Sequence, residues 1–270
     1  MVVITSSYAG DIEQKLSNGL IVTASFHQGE QDAPVILILH GLLQTRESHT
    51  VERIYNALVD SDYTVLAPTL SLDISQRKQS LACEAIHSHS MQSDISEIEL
   101  WSRWLHNKTN KKVILVGHSS GSVQQLAYLD QYTYKHIQQA ILISLGYFGA
   151  APGSNETALD AQRAQEMIKQ NKPGLNTFGL SYCKEYVTTP VNYLSYYSWG
   201  SKKILNTMKD ITVPITVIIG SKDKRIRKSW GRSMEENKIE TIMVKGAGHF
   251  FDDEYEFDLQ DIIDTLVTAS

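Results

Sequence analysis

Short runs of β-branched and apolar residues alternate along the chain with stretches whose apolar residues recur every three or four positions. This alternation predicts a mostly parallel β-sheet with helices on its faces, because each helix carries the chain back to start the next parallel strand. The predicted strands are Leu20–Phe26, Pro34–Leu39, Thr64–Leu66, Lys112–Val116, Gln139–Leu145, Ile215–Ile219 and Thr241–Val244. The predicted helices include Val51–Leu58, Asp94–Leu105, Val123–Leu129 and Leu259–Val267. We therefore expect an α/β fold.

One long segment interrupts this alternation. Between Leu145 and Ile215 we predict no strand, and the segment is too long for a single crossover helix. A helix is predicted over Glu156–Gln170, and the residues after it are rich in tyrosine. We interpret residues 147–210 as an inserted, mainly helical cap or lid, and residues 1–146 and 211–270 as the core. The cap aromatics either line a pocket for an apolar substrate or pack the cap against the core.

Composition excludes several classes of protein. Hydrophobic residues make up 42% of the chain and the net charge is -5, which excludes a disordered chain and provides no basic surface for nucleic acid. The longest apolar runs, such as Val113–Val116, are far too short to insert stably in a membrane. Residues 1–10 lack a basic start followed by an apolar stretch, which predicts a cytoplasmic protein. Export with a trimmed signal peptide is the alternative.

The strongest chemical signal is the motif G-x-S-x-G, present as Gly117-His118-Ser119-Ser120-Gly121. It lies directly between a predicted strand and a predicted helix, which is the context that this motif requires. A nucleophile on such a tight turn has a strained backbone, and the two flanking glycines allow the strand and the helix to pass closely. We predict that Ser119 is a nucleophile. A glycine-rich structural turn is the alternative.

A serine hydroxyl needs an adjacent base, which a third group must orient. Asp223 follows the strand Ile215–Ile219, and His249 follows the strand Thr241–Val244. Reacting groups gather beyond the carboxyl ends of the strands in an open α/β sheet, so we expect Ser119, Asp223 and His249 to meet there. The alternatives are a solvated carboxylate at Asp223, neutralised by its flanking lysines, and an ordinary loop histidine at His249.

This order of motifs resembles the serine-nucleophile branch of the α/β-hydrolase superfamily, which includes esterases, lipases and thioesterases. In that branch the serine, the acid and the histidine follow one another in this order along the chain. The resemblance covers nearly the whole chain and is weakest in the cap. It implies the α/β-hydrolase fold, with Ser119 as the nucleophile, Asp223 as the acid and His249 as the general base.

The turn His40-Gly41-Leu42 is similar to the oxyanion turn of the same superfamily. The resemblance implies that Leu42 and Ser120 donate their backbone N–H groups to an oxyanion. We expect His40 and His118 to be structural. The turn does not continue with further glycines, so the glycine-rich lipase and esterase subgroup is a poor match.

The implied reaction is hydrolysis of a carboxylic ester or thioester in a small-molecule substrate, through an acyl-enzyme intermediate. A serine nucleophile disfavours dehalogenase and epoxide-hydrolase chemistry, because those branches of the superfamily use a carboxylate. Two alternatives remain: an acyltransferase, and a non-catalytic binding protein that retains the fold. A complete triad argues against the binding protein. The sequence does not determine the oligomeric state.

Three residues of one loop, Cys83, His87 and His89, are candidate metal ligands. Zinc sites usually need four well-spaced ligands, so we predict no metal here. We also predict no cofactor. We interpret Ser71–Ser93 as a long ordered loop near the active-site rim.

The chain has two cysteines, Cys83 and Cys183. They could form one disulfide bond in an exported protein, but nothing in the sequence requires it.

Overall fold

The computed structural model describes residues 9–132, 135–149, 156–226 and 228–269. The strands in these ranges are β1 (Ala9–Lys15), β2 (Ile21–His27), β3 (Val35–Leu39), β4 (Thr64–Thr69), β5 (Ile86–His87), β6 (Val113–His118), β7 (Ile137–Ile143), β8 (Asn176–Leu180), β9 (Cys183–Thr188), β10 (Ile215–Gly220) and β11 (Thr241–Val244). The helices are α1 (His49–Asp60), α2 (Met91–Thr109), α3 (Ser120–Gln131), α4 (Glu156–Lys169), α5 (Pro190–Tyr197), α6 (Ser201–Asp210), α7 (Lys228–Glu236) and α8 (Tyr255–Thr268).

Eight of these strands form the main sheet, in the order β1-β2-β4-β3-β6-β7-β10-β11. The pairs from β4 to β11 are parallel, and β1 and β2 add an antiparallel edge. The prediction of a mostly parallel sheet flanked by helices is confirmed. Strand β1 was not predicted, because its sequence AGDIEQK has few apolar residues.

The sheet separates two hydrophobic cores. Alternate residues of the central strands, such as Leu37 and Leu115, pack with residues of α2, α3, α6 and α7. The residues between them, such as Ile36 and Ile114, pack with residues of α1 and α8 on the opposite face. Because both faces are covered, the strands are apolar at consecutive positions, as the sequence indicated.

The predicted cap contains two strands that sequence analysis missed. Strands β8 and β9 form an antiparallel hairpin, and β9 also pairs with the short strand β5 from the loop after β4. A disulfide bond between Cys83 and Cys183 joins the same loop to the start of β9, with Cα atoms 5.4 Å apart. The prediction that the segment before Ile215 contains no strand is therefore wrong. The domain boundaries themselves remain a prediction, and residues 150–155 of the cap lie outside the described residues.

Within the described ranges, we find no helix that combines the length and the apolar character needed to cross a bilayer. Residues 1–8, on which most of the localisation argument from the N-terminus rests, lie outside the described residues.

Candidate active site

Ser119 occupies the turn between β6 and α3 in a conformation that few residues adopt. Its φ is 57° and its ψ is -120°, and its N–H donates a hydrogen bond to the Ile143 carbonyl at 2.9 Å. The flanking glycines leave no room for a side chain. A Cβ on Gly117 would lie 2.7 Å from the Ser122 nitrogen, and one on Gly121 would lie 2.5 Å from the His40 carbonyl oxygen. The turn therefore needs glycine on both sides to lift Ser119 above the sheet.

The three residues predicted to meet do so at the carboxyl ends of the strands. The Nε2 atom of His249 lies 3.0 Å from Ser119 Oγ, and its Nδ1 atom lies 2.7 Å from Asp223 Oδ2. The Asp223 and His249 residues are both only 9% exposed, whereas Ser119 is half-buried and faces a cavity. The structure thus forms a continuous Ser–His–Asp hydrogen-bond chain.

The surroundings of Asp223 favour its charged form. Burial alone would raise the pKa of this carboxyl, but the hydrogen bond from His249 and the N–H groups of Arg225 and Ile226 outweigh burial. Those two backbone N–H groups donate to Oδ1 at 2.8 and 3.2 Å, so Oδ2 remains for the imidazole. The net pKa is therefore below its ordinary value, and Asp223 is ionised at neutral pH.

Two further side chains fix the backbone at His249. Its carbonyl oxygen accepts hydrogen bonds from Ser144 Oγ at 2.8 Å and from His118 Nε2 at 3.0 Å. Burial, followed by the nearby His249, lowers the pKa of His118 to about 4, so this imidazole is neutral at pH 7. The expectation that His118 is structural agrees with this contact. Sequence analysis placed Ser144 inside a strand, whereas it lies just after β7 with a φ of 49°.

The turn at residues 40–42 lies beside Ser119. A Cβ on Gly41 would lie 3.5 Å from Ser119 Cβ, and Leu43 has a left-handed φ of 59°. His40 fixes this turn, since its Nδ1 donates to the Gly41 carbonyl at 2.8 Å and its Nε2 accepts from the Leu70 N–H at 3.0 Å. Burial and then Arg77 lower the pKa of His40 to about 3, so it is neutral and structural, as expected.

The two backbone N–H groups predicted to bind an oxyanion, those of Leu42 and Ser120, belong to this turn and to the start of α3. Ser120 is the first residue of α3, and the N–H at that position has no acceptor within the helix. On the other side of the serine, the Leu42 carbonyl accepts a hydrogen bond from Tyr182 Oη at 2.8 Å. Tyr182 lies in the turn of the β8–β9 hairpin, 140 residues further along the chain. Sequence analysis listed it only among the cap aromatics.

A cavity of about 330 Å³ opens in front of Ser119. Besides Ser119 and His249, its lining includes Tyr147, Tyr182, Arg225 and Trp230. The aromatic residues of the predicted cap thus divide between the two roles considered for them. Tyr182 lines the cavity, whereas several others are buried packing residues: Tyr186, Tyr193, Tyr196 and Trp199.

The loop residues considered as metal ligands have protein partners instead. The Cys83 sulfur is in the disulfide bond, and the His87 ring stacks on Tyr186 with centroids 4.2 Å apart. His89 contacts the hydroxyl of Tyr196 at 2.5 Å through Nδ1. Over the part of the chain that the structure describes, no group of three or more His, Cys, Asp or Glu residues is placed to hold a metal ion.

A parallel sheet with a serine at a strand-to-helix turn, followed by an acid and a histidine after later strands, defines an α/β hydrolase. The chain belongs to the alpha/beta hydrolase family, whose model matches residues 36–258. Family membership supports hydrolase activity. A search of curated proteins gave no match to this chain.

Solved structures share the fold at low sequence identity. The DcsB complex with its substrate analogue has a TM-score of 0.73 at 13% identity, covering 97% of this chain and 99% of that one. The thioesterase domain from the curacin biosynthetic pathway has a TM-score of 0.63 at 18% identity, with the same coverage. Est1E from Butyrivibrio proteoclasticus has a TM-score of 0.68 at 13% identity, again covering 97% and 99%.

Proposed function

We propose that this protein is a serine hydrolase that cleaves a carboxylic ester or a thioester. The observation that carries the proposal is the hydrogen-bond chain from Ser119 Oγ to His249 at 3.0 Å and from His249 to Asp223 at 2.7 Å. This geometry allows the imidazole to take the serine proton while the carboxylate fixes its tautomer. No metal or cofactor takes part in the proposed chemistry.

In the first step, Ser119 Oγ attacks the carbonyl carbon while His249 Nε2 takes the hydroxyl proton. The charged imidazole is stabilised by ionised Asp223. The N–H groups of Leu42 and Ser120 donate to the oxyanion of the tetrahedral intermediate, and one such donor contributes about 3–4 kcal/mol to catalysis in related sites. Collapse of the intermediate expels the alcohol or thiol, which takes the proton back from His249, and leaves an acyl group on Ser119.

In the second step, His249 removes a proton from water, which attacks the acyl carbon. A second tetrahedral intermediate forms, and the same two N–H groups donate hydrogen bonds to its oxyanion. Its collapse releases the carboxylic acid and returns the proton to Ser119 Oγ, so the enzyme is regenerated. The cavity of about 330 Å³ supports a small-molecule substrate.

The first test is the intact mass of the protein after treatment with a fluorophosphonate probe, followed by peptide mapping of the adduct. We expect one adduct on Ser119, and none on the Ser119→Ala variant. Hydrolysis of 4-nitrophenyl butyrate should disappear in the same variant while its circular dichroism spectrum is unchanged. An unmodified wild-type protein that also fails to hydrolyse esters would contradict the proposal and favour the binding-protein alternative.

Product analysis separates the hydrolase from the acyltransferase alternative. With an added alcohol or thiol acceptor, a hydrolase releases mainly the free acid, whereas an acyltransferase releases mainly the new ester or thioester.

The cytoplasmic location remains a prediction. The Cys83–Cys183 disulfide bond counts against it, because disulfides are rare in proteins of the cytosol.

A further inference from the structure

Arg225 lies in the loop after Asp223, and its guanidinium contacts two aromatic rings. Its Cζ atom lies 5.1 Å from the centroid of the Tyr182 ring and 4.8 Å from that of Phe250. Arg225 lines the same cavity as Ser119 and is exposed to solvent. One ring comes from the β8–β9 hairpin and the other from the loop that carries His249, so both elements fix the cation.

The guanidinium has no anionic partner in the described part of the chain. Among the side chains that the structure describes, no carboxylate lies within 4.0 Å of it, and none of its guanidinium N–H groups donates a hydrogen bond to a described residue. By contrast, Arg46, Arg53 and Arg163 are each bonded to a carboxylate. The guanidinium of Arg225 therefore keeps the N–H donors of its planar fork available, and such a fork binds a carboxylate with two parallel hydrogen bonds.

The position of Arg225 is fixed relative to the Ser–His–Asp chain. Its backbone N–H donates to Asp223 Oδ1 at 2.8 Å, and the Phe250 ring beneath its guanidinium lies 5.0 Å from the His249 imidazole. The cation is therefore held near the reacting groups, yet it takes no part in the proton transfers. A substrate seated on Ser119 would meet it with a part of the molecule other than the scissile carbonyl.

We propose that Arg225 forms a specificity subsite for an anionic group of the substrate, so that the protein prefers esters or thioesters that carry a carboxylate. This inference rests on the proposed hydrolase function and names the substrate class for the same site. The carboxylate belongs to the acyl chain or to the leaving group. In either position it would form charge-assisted hydrogen bonds with Arg225 that an uncharged analogue lacks.

Two matched pairs of substrates test the subsite. The first pair is the 4-nitrophenyl monoester of adipic acid and its methyl-capped diester, which places the charge on the acyl chain. The second pair is 4-(butanoyloxy)benzoate and its methyl ester, which places the charge on the leaving group. We expect the wild-type protein to have the higher kcat/KM for the charged member of one pair, and that pair identifies the side of the ester that faces Arg225.

Substitution of Arg225 should then reduce this preference. For the preferred pair, Arg225→Gln should lower the ratio of charged to uncharged kcat/KM by about ten- to hundredfold, the range for hydrogen bonds to charged groups. Arg225→Lys keeps the charge but loses the planar fork, so it should retain part of the preference. Lys224→Gln removes a neighbouring exposed cation that does not line the cavity, and it should leave the ratio unchanged.

The inference is overturned if Arg225→Gln leaves the ratio of both pairs at the wild-type value, or if Lys224→Gln lowers it equally. Binding to the Ser119→Ala variant separates this inference from the proposed function. In calorimetry with this variant, which does not cleave the esters, the charged member of one of the two pairs should bind more tightly than its uncharged partner, and Arg225→Gln should abolish the difference. If binding depends on Arg225 but the wild-type protein forms no fluorophosphonate adduct on Ser119, the proposed subsite is supported and only the proposed hydrolase function is contradicted. An adduct without Arg225-dependent selectivity would contradict only the subsite.

Discussion

At the scale of single residues, the hydroxyl of Ser119 depends on groups that reach it from separate segments of the chain. His249 lies 3.0 Å from it and is itself held by Asp223, by Ser144 and by His118. Each of these contacts is a single hydrogen bond from a side chain and is not part of the backbone pairing of the sheet, so we expect the sheet to stay folded when one of them is removed. Single substitutions can therefore separate a chemical role from a structural one.

The Asp223→Asn variant tests the orientation of the imidazole. The asparagine amide can occupy the same space, but it can donate a hydrogen bond to Nδ1 and so favour the wrong tautomer of His249. We expect kcat for 4-nitrophenyl butyrate to fall by about 10⁴-fold, the loss known for the same change in a serine protease triad. Initial rates and circular dichroism spectra would measure activity and folding separately.

Asp253→Asn is the matched control for that experiment. Asp253 is exposed and follows His249 by four residues, and its φ of 59° is one that asparagine tolerates well. Its activity should stay within about twofold of wild type, since surface substitutions have small effects. A normal rate in Asp223→Asn together with a large loss in Asp253→Asn would mean that the wrong acid has been assigned.

The predicted site residues share one kind of signal in the sequence. Ser119, Asp223 and His249 each follow a predicted strand, so the topology of a parallel sheet was enough to bring them together. Ser144 and Tyr182 give no such signal. Their hydrogen bonds span 105 and 140 residues, and nothing local in the sequence distinguishes them from ordinary loop residues.

At the scale of elements, the same distinction explains the missed hairpin. The buried strands of the main sheet are continuous apolar runs, such as VILIL in β3. Strands β8 and β9 read NTFGL and CKEYVT, and several of their side chains are exposed. Apart from their pairing with each other, their contacts are distant in sequence: β9 pairs with β5 and is joined to the same loop through Cys83. Pairing of this kind is determined by tertiary contacts rather than by local propensity.

The hairpin places a tyrosine hydroxyl on the carbonyl of Leu42, in the turn that we propose binds the oxyanion, which predicts a positioning role for Tyr182. In Tyr182→Phe the ring stays but the hydrogen bond to the Leu42 carbonyl is lost. One net hydrogen bond contributes about 1 kcal/mol, so we expect kcat to fall by about fivefold. KM should change little, because the oxyanion exists only in the transition state and the intermediates. Steady-state kinetics with 4-nitrophenyl butyrate would resolve the two parameters.

Tyr197→Phe provides the control in the same part of the molecule. Tyr197 lies in α5, outside the cavity lining, and its hydroxyl has no hydrogen-bond partner among the described residues. It should leave both parameters at their wild-type values. If Tyr182→Phe raises KM without lowering kcat, the hydroxyl contributes to substrate binding and does not position the oxyanion turn.

At the scale of the whole molecule, the disulfide bond closes a long loop of the chain. Cys83 and Cys183 are 100 residues apart, and a cross-link over that distance stabilises the folded state by up to about 4–5 kcal/mol in the chain-entropy model. We expect the double variant Cys83→Ser, Cys183→Ser to unfold at a lower urea concentration. We also expect thiol titration of the denatured wild-type protein, without reductant, to detect no free thiol.

Reductant serves as the control for the cross-link. It should lower the urea midpoint of the wild-type protein to that of the double variant, and it should leave the variant unchanged. Two titratable thiols in the denatured wild-type protein would contradict the disulfide bond. In that case the disulfide bond would no longer be an argument against a cytoplasmic location.

A buried carboxyl in the core makes stability depend on pH. Glu97 of α2 is 2% exposed, and it accepts hydrogen bonds from the Ser71 N–H at 3.0 Å and from Ser71 Oγ at 2.8 Å. Burial raises the pKa of Glu97 from 4.5 to about 7, and the hydrogen bonds from Ser71 offset only part of this effect. At a pH between 4.5 and about 7, Glu97 is protonated in the folded protein but has lost its proton in the unfolded chain. The stability contributed by this proton is therefore complete below about pH 4.5 and is lost as the pH rises through about 7.

Glu97→Gln removes this titration while keeping an oxygen that can accept from Ser71. The difference in free energy of unfolding, wild type minus variant, should fall by about 3 kcal/mol between about pH 4.5 and pH 8, in line with the shift in the pKa of Glu97. Taking the difference cancels the titration of every group that the two proteins share. Urea unfolding monitored by tryptophan fluorescence at several pH values would measure it, with exposed Glu52→Gln on α1 as the control. A difference that stays constant over this range would mean that Glu97 remains charged in the folded protein, with Ser71 and Arg77 fully compensating its burial.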